Sequence, residues 1–157
     1  EGAALEVGVA PRIEPLDVVL GAALGPVAPA LRWAVVLEGT APAILPGRTA
    51  PPAGGDPEAA RRLLLRVRAR RDRLAILTGD PSLDGLLEPL APLLGELLAD
   101  LTARQRTVVR LLLVDGLRQA DVAERIGVAR ATVSVMASRS HARSIERLVT
   151  ALRALLA

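Results

Sequence analysis

The most restrictive feature of this sequence is a set of small and apolar residues with fixed spacing between positions 122 and 136. The set consists of Val122, Ala123, Ile126, Gly127, Val128, Val133 and Met136. In two consecutive short helices, this spacing puts a small residue where the helices cross, a glycine in the turn, and apolar side chains between the helices. The pattern predicts a helix-turn-helix whose helices span residues 119–126 and 130–140.

The residues before this motif predict an additional amphipathic helix. Thr102 is an N-cap candidate, and Gln105, three residues later, is its capping-box partner. Apolar residues at positions 108, 109 and 111–113 give the helix a buried side. The pair Asp115 and Gly116 is predicted to end it, since glycine commonly follows the last helical turn.

Charge is distributed unevenly along the chain. Residues 101–157 hold ten arginines and four acidic residues, a net charge of +6, whereas residues 1–100 hold ten arginines and thirteen acidic residues, a net charge of −3. All 20 basic residues are arginine, which a bias toward GC-rich codons explains, so arginine abundance alone carries no functional weight. A basic module joined to a mildly acidic one is the electrostatic pattern of a nucleic-acid binder. Double-stranded DNA is therefore the expected partner.

The second helix of the motif is expected to lie in the major groove of DNA. Val133, Met136 and Ala137 form its predicted core face. The predicted DNA-contacting residues are Gln119 on the first helix and, on the second, Arg130, Ala131, Thr132, Ser134, Val135, Ser138 and Arg139. Each of them has an alternative role as a solvated surface side chain.

The residue types indicate how such contacts would work. Arg130, at the start of the helix, can read guanine with two hydrogen bonds or bind a phosphate. Gln119 is placed to meet a phosphate through its side chain and its backbone N–H. The two serines suit either bases or phosphates, and Thr132 suits a phosphate or a helix cap. Ala131 and Val135 can touch the methyl group of thymine.

The end of the chain, residues 141–156, predicts a final helix with an apolar stripe. The stripe consists of Ile145, Leu148, Val149, Leu152, Leu155 and Leu156. Two interpretations are equally open. The helix forms a homodimer, as two-fold DNA sites require, or it packs back on the first helix of the same domain.

The first 100 residues predict a small α/β part. Strands are expected over residues 5–12, 31–37 and 73–78, helices over residues 15–25, 57–72 and 82–100, and a loop or linker over residues 39–56. Trp33 is expected to be a core or interface anchor. Pro89 and Pro92 are expected to break or kink the last of these helices. The arginines of the middle helix form either a second phosphate-contacting surface or, as we favour, a solvated face.

The predicted fold class is therefore α+β and mainly helical. A small α/β N-terminal part over residues 1–100 precedes a C-terminal helix-turn-helix domain over residues 101–157. Because the chain starts at Glu1 rather than at Met, we expect the N-terminal part to be an incomplete sensory or oligomerisation domain.

The composition argues against several other classes of protein. With one His, no Cys and no Lys, the chain has no cysteine zinc site, no Walker lysine and no Schiff-base lysine, and no cofactor or metal is expected. His141 has no acidic neighbour in the sequence, and Asp80 suits a turn or cap, so an enzyme is not expected. Residues 18–37 have the length of a membrane span, but their glycines and prolines favour a helix followed by a strand. A cytoplasmic protein without a membrane segment is the expectation.

Two stretches carry a resemblance to known families. The first stretch resembles the sigma-factor region-4 and LuxR-type class of bacterial helix-turn-helix domains. It consists of Leu-Thr-Ala-Arg-Gln at residues 101–105 and Gly-Leu-Arg-Gln-Ala-Asp-Val-Ala-Glu-Arg-Ile-Gly-Val-Ala-Arg-Ala-Thr-Val-Ser at residues 116–134. Residues 56–87, which end in Leu-Thr-Gly-Asp-Pro-Ser-Leu-Asp-Gly-Leu-Leu, resemble the SatD-like family, in which a similar domain follows an α/β portion. The resemblance implies a DNA-binding regulator whose α/β part senses a signal.

The sequence departs from this resemblance at two positions. Ala129 stands where the class usually has a serine or threonine that caps the second helix, and Leu101 stands where an aromatic residue is usual. The missing cap is expected to cost about 1 kcal/mol of helix stability.

Two functional hypotheses follow from these observations. The leading one is a sequence-specific, double-stranded DNA-binding transcriptional regulator, acting as a homodimer and open to control by a small-molecule effector of unknown identity. The alternative is an adaptor that uses the helix-turn-helix fold for protein interaction or dimerisation.

Overall fold

The computed structural model describes residues 15–25, 32–37 and 57–156. Within them the chain forms α1 (Pro15–Ala23), β1 (Trp33–Val36), α2 (Pro57–Arg70), β2 (Leu74–Leu77), α3 (Pro81–Ala99), α4 (Ala103–Leu113), α5 (Gln119–Ile126), α6 (Arg130–Arg139) and α7 (Ala142–Leu156). The fold is mainly helical with a small sheet, which confirms the predicted fold class. The strand predicted over residues 5–12 and the loop predicted over residues 39–56 lie outside the described residues.

The two described strands form a parallel pair. Trp33 lies opposite Leu74 and Val36 lies opposite Leu77. Parallel strands need a long crossover connection, and α2, which lies between them in sequence, packs against both. Trp33 is partly buried against the main core, which confirms its predicted role as a core anchor.

Helix α2 shows how an arginine-rich segment folds. It buries Leu63 and Val67 and leaves its arginines exposed, the arrangement that the solvated-face interpretation predicts. Arg70 donates a 2.6 Å hydrogen bond to the Glu88 carboxylate of α3. This hydrogen bond and the charge of Glu88 raise the pKa of the Arg70 guanidinium. Because both side chains are exposed, the pair contributes little to stability.

Helix α3 runs without a break through both of its prolines. The expected break at Pro89 or Pro92 does not occur, since one helix spans Pro81–Ala99. Proline removes the hydrogen bond to the carbonyl four residues earlier, here those of Gly85 and Glu88. Both of those residues are exposed, so the two lost hydrogen bonds lie on the solvent side of the helix. The opposite side of the helix buries Leu87, Ala91, Leu94 and Leu98, which holds the helix together across the prolines.

Two aspartates organise the start of α3. Asp80 is its N-cap and accepts hydrogen bonds from the backbone N–H groups of Ser82 and Leu83 at 2.8 and 3.2 Å, which confirms the predicted cap. Asp84 accepts from the N–H and hydroxyl of Thr78 at 2.7 and 2.8 Å. Both carboxylates therefore fix the turn between β2 and α3.

One hydrophobic core connects the N-terminal elements with the C-terminal helices. Its buried members come from α1, β2, α3, α4 and α7 and include Leu16, Leu74, Leu94, Val109 and Ile145. Helix α7 packs mainly against α3 and also against α6. The C-terminal apolar stripe is thus covered within the chain, chiefly by α3 rather than by α4.

Across the residues that the structure describes, no helix is both long and apolar enough to span a membrane. The stretch 18–37 holds the end of α1 and the strand β1 instead of one continuous helix.

Candidate nucleic-acid interface

Helix α4 supports the motif from one side. Its N-cap is Thr102, whose hydroxyl accepts from the N–H of Gln105, while the Gln105 side chain accepts from the N–H of Thr102 at 2.9 Å. The predicted capping box is therefore present. Val108 and Leu111 of this helix are buried against the motif, whereas Val109 belongs to the main core. One helix thereby joins the motif to the rest of the fold.

The turn between α5 and α6 has the geometry that the sequence predicts. Gly127 adopts φ 67° and ψ 40°, a left-handed conformation that favours glycine. The N–H of Val128 then donates to the carbonyl of Ala123 at 3.0 Å. Ala123 is buried where the helices approach, so its small side chain is required there.

The motif has a small core of its own. Val108, Leu111, Val122, Ala123 and Val133 are buried in it, and Leu112, Leu117, Ile126, Val128 and Met136 pack against it. All six non-glycine positions of the spacing pattern belong to this cluster, and Gly127 forms the turn. The core fixes which side of α6 faces the protein and which side faces solvent.

The predicted contact residues of α6 all lie on its solvent side. Val133 is fully buried, and Met136 and Ala137 are partly buried. The exposed residues of the helix are Arg130, Ala131, Thr132, Ser134, Val135, Ser138 and Arg139, which are the seven predicted there. Gln119 is half-buried at the first position of α5, and so it starts the other helix of the motif.

The two ends of α6 differ in how they are held. At the start, Ala129 occupies the N-cap position with φ −67° and ψ 145°, and no side-chain hydrogen bond caps the helix. At the end, the buried Ser140 hydroxyl donates to the carbonyl of Ala137 at 3.0 Å. His141 follows with φ 53°, a left-handed conformation that turns the chain into α7. Of the two ends of α6, the far end is therefore the one held by a side-chain hydrogen bond.

Further exposed arginines lie close to α6 in sequence. Besides Arg130 and Arg139, the exposed Arg118 lies immediately before α5, and the exposed Arg143 lies in the first turn of α7. The sequence prediction did not include these two residues, although the charge of residues 101–157 was a signal for them. Arg106 is different, since it is buried and donates to the carbonyl of Leu101 at 2.9 Å. Among the described residues, no cluster of His and acidic side chains is arranged to hold a metal ion.

Comparison with known families finds one match, in this part of the chain. Residues 92–143 match the family model of sigma-70, region 4. Sigma-70 region 4 is a helix-turn-helix DNA-binding domain, so the match agrees with the helix-turn-helix geometry of this region and supports a DNA-binding, transcription-related role for it. The match begins within α3, ends just after α6, and includes α4 and α5. No curated protein and no solved structure matches the chain.

Proposed function

We propose that this protein is a sequence-specific regulator of transcription that reads double-stranded DNA with the exposed face of α6. The observation that carries the proposal is that face itself. Its seven exposed residues are aimed away from a buried motif core, within a region that matches sigma-70 region 4 and carries a net charge of +6 over residues 101–157. A helix held in this way is the element that enters the major groove in helix-turn-helix proteins.

The residues of the proposed DNA interface divide into two roles. Arg130 and Arg139 lie at the two ends of α6 and suit phosphates or guanine. Gln119, at the start of α5, suits a phosphate, because the N–H groups of a helix start favour an anion. The remaining residues, Ala131, Thr132, Ser134, Val135 and Ser138, are short and allow the helix backbone to approach the bases closely.

The first test is selection from a random pool of DNA duplexes at two salt concentrations, followed by sequencing of the retained DNA. We expect a defined motif to be enriched and retention to fall steeply with salt, since phosphate contacts release counterions. Salt-sensitive retention without a motif would contradict the sequence-specific part of the proposal. No retention at low salt would contradict DNA binding and favour the protein-interaction adaptor.

A double variant tests the assigned helix. Arg130→Ala with Ser134→Ala removes one charge and one hydroxyl from the exposed face of α6, and we expect it to abolish motif-specific binding in gel-shift competition. Arg61→Ala with Ser82→Ala is the matched control, because it removes the same groups from exposed positions on α2 and α3. Unchanged specificity in the α6 variant would show that another surface reads the DNA.

We further propose that the regulator binds as a homodimer in the cytoplasm. Since α3 already covers the apolar stripe of α7, the dimer would have to use another surface. A palindromic motif in the selected DNA, together with a dimer mass in sedimentation, would support this assembly. A motif without symmetry would contradict it.

We also propose that the N-terminal region resembles the SatD-like family and binds a small-molecule effector. A cavity of about 280 Å³ lies between α2, β2 and α3. Trp33, the only tryptophan, lies on the strand paired with β2, so its fluorescence is a suitable probe of occupancy. Screening by Trp33 fluorescence, with DNA affinity as the second readout, would test whether any ligand controls binding.

A further inference from the structure

The outermost line of side chains on α6 contains no long or charged side chain. Counting about 100° per residue, which 3.6 residues per turn imply, Ala131, Val135 and Ser138 lie within about 40° of the direction opposite the buried Val133. Val135 is 50% exposed and is not a member of either hydrophobic core. The centre of the DNA-facing side is thus formed by two alkyl groups and one hydroxyl.

The packing of α6 in the two hydrophobic cores does not require a valine at this position. Helix α6 is anchored by Val133, Met136 and Ala137, all on the opposite side. By the same count, Arg139 lies about 60° from that outermost direction and Arg130 about 120° from it. No long polar side chain therefore occupies the centre of the face, where base edges would be read.

The chemistry of the major groove limits what such a centre can recognise. Base edges there carry hydrogen-bond donors and acceptors, and the only apolar group is the 5-methyl group of a pyrimidine, found on thymine. An alkyl side chain pressed against a donor or acceptor leaves that group without water or a partner, which is unfavourable. Against a methyl group, the same side chain buries apolar surface on both partners.

We infer that Val135, with Ala131 beside it, is a specificity-determining residue that selects the 5-methyl group of a pyrimidine in the major groove, in unmodified DNA that of thymine. The inference rests on the proposed function, since it requires α6 to lie in the groove. Removal of one contacted methyl group is expected to weaken binding about fourfold, the equivalent of ~0.8 kcal/mol for one buried carbon.

The experiment uses the DNA pool retained after selection, amplified in two forms. One contains thymine, and the other contains deoxyuridine in its place, which pairs identically but lacks the methyl group. We expect the full chain to bind the deoxyuridine pool about fourfold more weakly for each contacted methyl group.

Two variants separate this contact from general effects of uracil on DNA shape. Val135→Ala should bind the thymine and deoxyuridine pools with nearly equal affinity. Val114→Ala is the matched control, because Val114 is also exposed, at 40%, but lies at the end of α4. It should keep the full preference for thymine.

Two further outcomes distinguish the failure of each idea. Equal, tight binding of both pools by the unaltered chain would overturn the methyl-reading inference and leave DNA binding intact. A thymine preference that persists in Val135→Ala would also overturn it, by assigning the effect to DNA shape. If no pool is retained in any form, the proposed function itself fails.

Discussion

The contact between α3 and β2 offers a sharp test of the fold, because two glycines in the same helix have opposite environments. A Cβ atom on Gly95 would lie 2.8 Å from both the Cβ of Arg73 and the backbone N of Leu74, and 2.9 Å from the Cβ of Leu74. Carbon atoms in proteins essentially never approach so closely. A Cβ atom on Gly85 would meet nothing within 4 Å. The same substitution should therefore have opposite effects at the two positions.

The magnitudes follow from two opposing terms. Replacing glycine by alanine within a helix stabilises it by about 0.5–1 kcal/mol. At Gly95, overpacking opposes this gain with a cost near the upper end of about 1–3 kcal/mol, since the neighbouring atoms belong to the backbone or to Cβ positions that cannot rotate away. We expect Gly95→Ala to lower the free energy of unfolding by about 1–2 kcal/mol, whereas Gly85→Ala should raise it by about 0.5–1 kcal/mol.

Thermal unfolding followed by far-UV circular dichroism measures both variants. For a chain of this length, about 1 kcal/mol corresponds to a shift of roughly 2–4 °C in the unfolding midpoint. The expected shifts are a fall of about 2–8 °C for Gly95→Ala and a rise of about 1–4 °C for Gly85→Ala. If both variants were stabilised equally, α3 could not lie as close to β2 as the structure places it, and the reasoning would be refuted.

Three further predictions concern the motif and its connection to the rest of the fold. Ala129→Ser should raise the free energy of unfolding by about 1 kcal/mol, because a serine hydroxyl at this N-cap can accept hydrogen bonds from the first-turn N–H groups. A lower unfolding midpoint in urea would contradict this expectation. Ile145→Ala should lower the free energy of unfolding by about 2–5 kcal/mol. Because one core joins α7 to β1, the unfolding transitions followed by Trp33 fluorescence and by circular dichroism should shift together. An unchanged Trp33 transition would argue against a shared core. Arg130→Ala should reduce the slope of log affinity against log salt by about 0.9 if the side chain binds one phosphate, with Arg61→Ala leaving the slope unchanged.

Much of the C-terminal motif could be predicted from the sequence because its signals are local. The Thr102 and Gln105 capping box uses side chains three residues apart, and Gly127 supplies a backbone conformation that a single residue decides. Helical periodicity from Val133 also predicted which residues of α6 are exposed, and the structure agrees at each of them. That these residues bind DNA stays a prediction, since exposure alone does not decide the ligand.

The sequence by itself therefore determined the existence, limits and orientation of the short helices in the motif. Only the tertiary structure decided what the apolar surfaces meet. The stripe on α7 was visible in the sequence, but its partner α3 was not, because apolar burial has no direction and any complementary face satisfies it. Helix α3 continues through Pro89 and Pro92 because its opposite side packs in the core, although local rules predict a break there. Position 95 needs glycine because β2 approaches closely, although local rules place no constraint there. In both cases, contacts distant in sequence override the local preference.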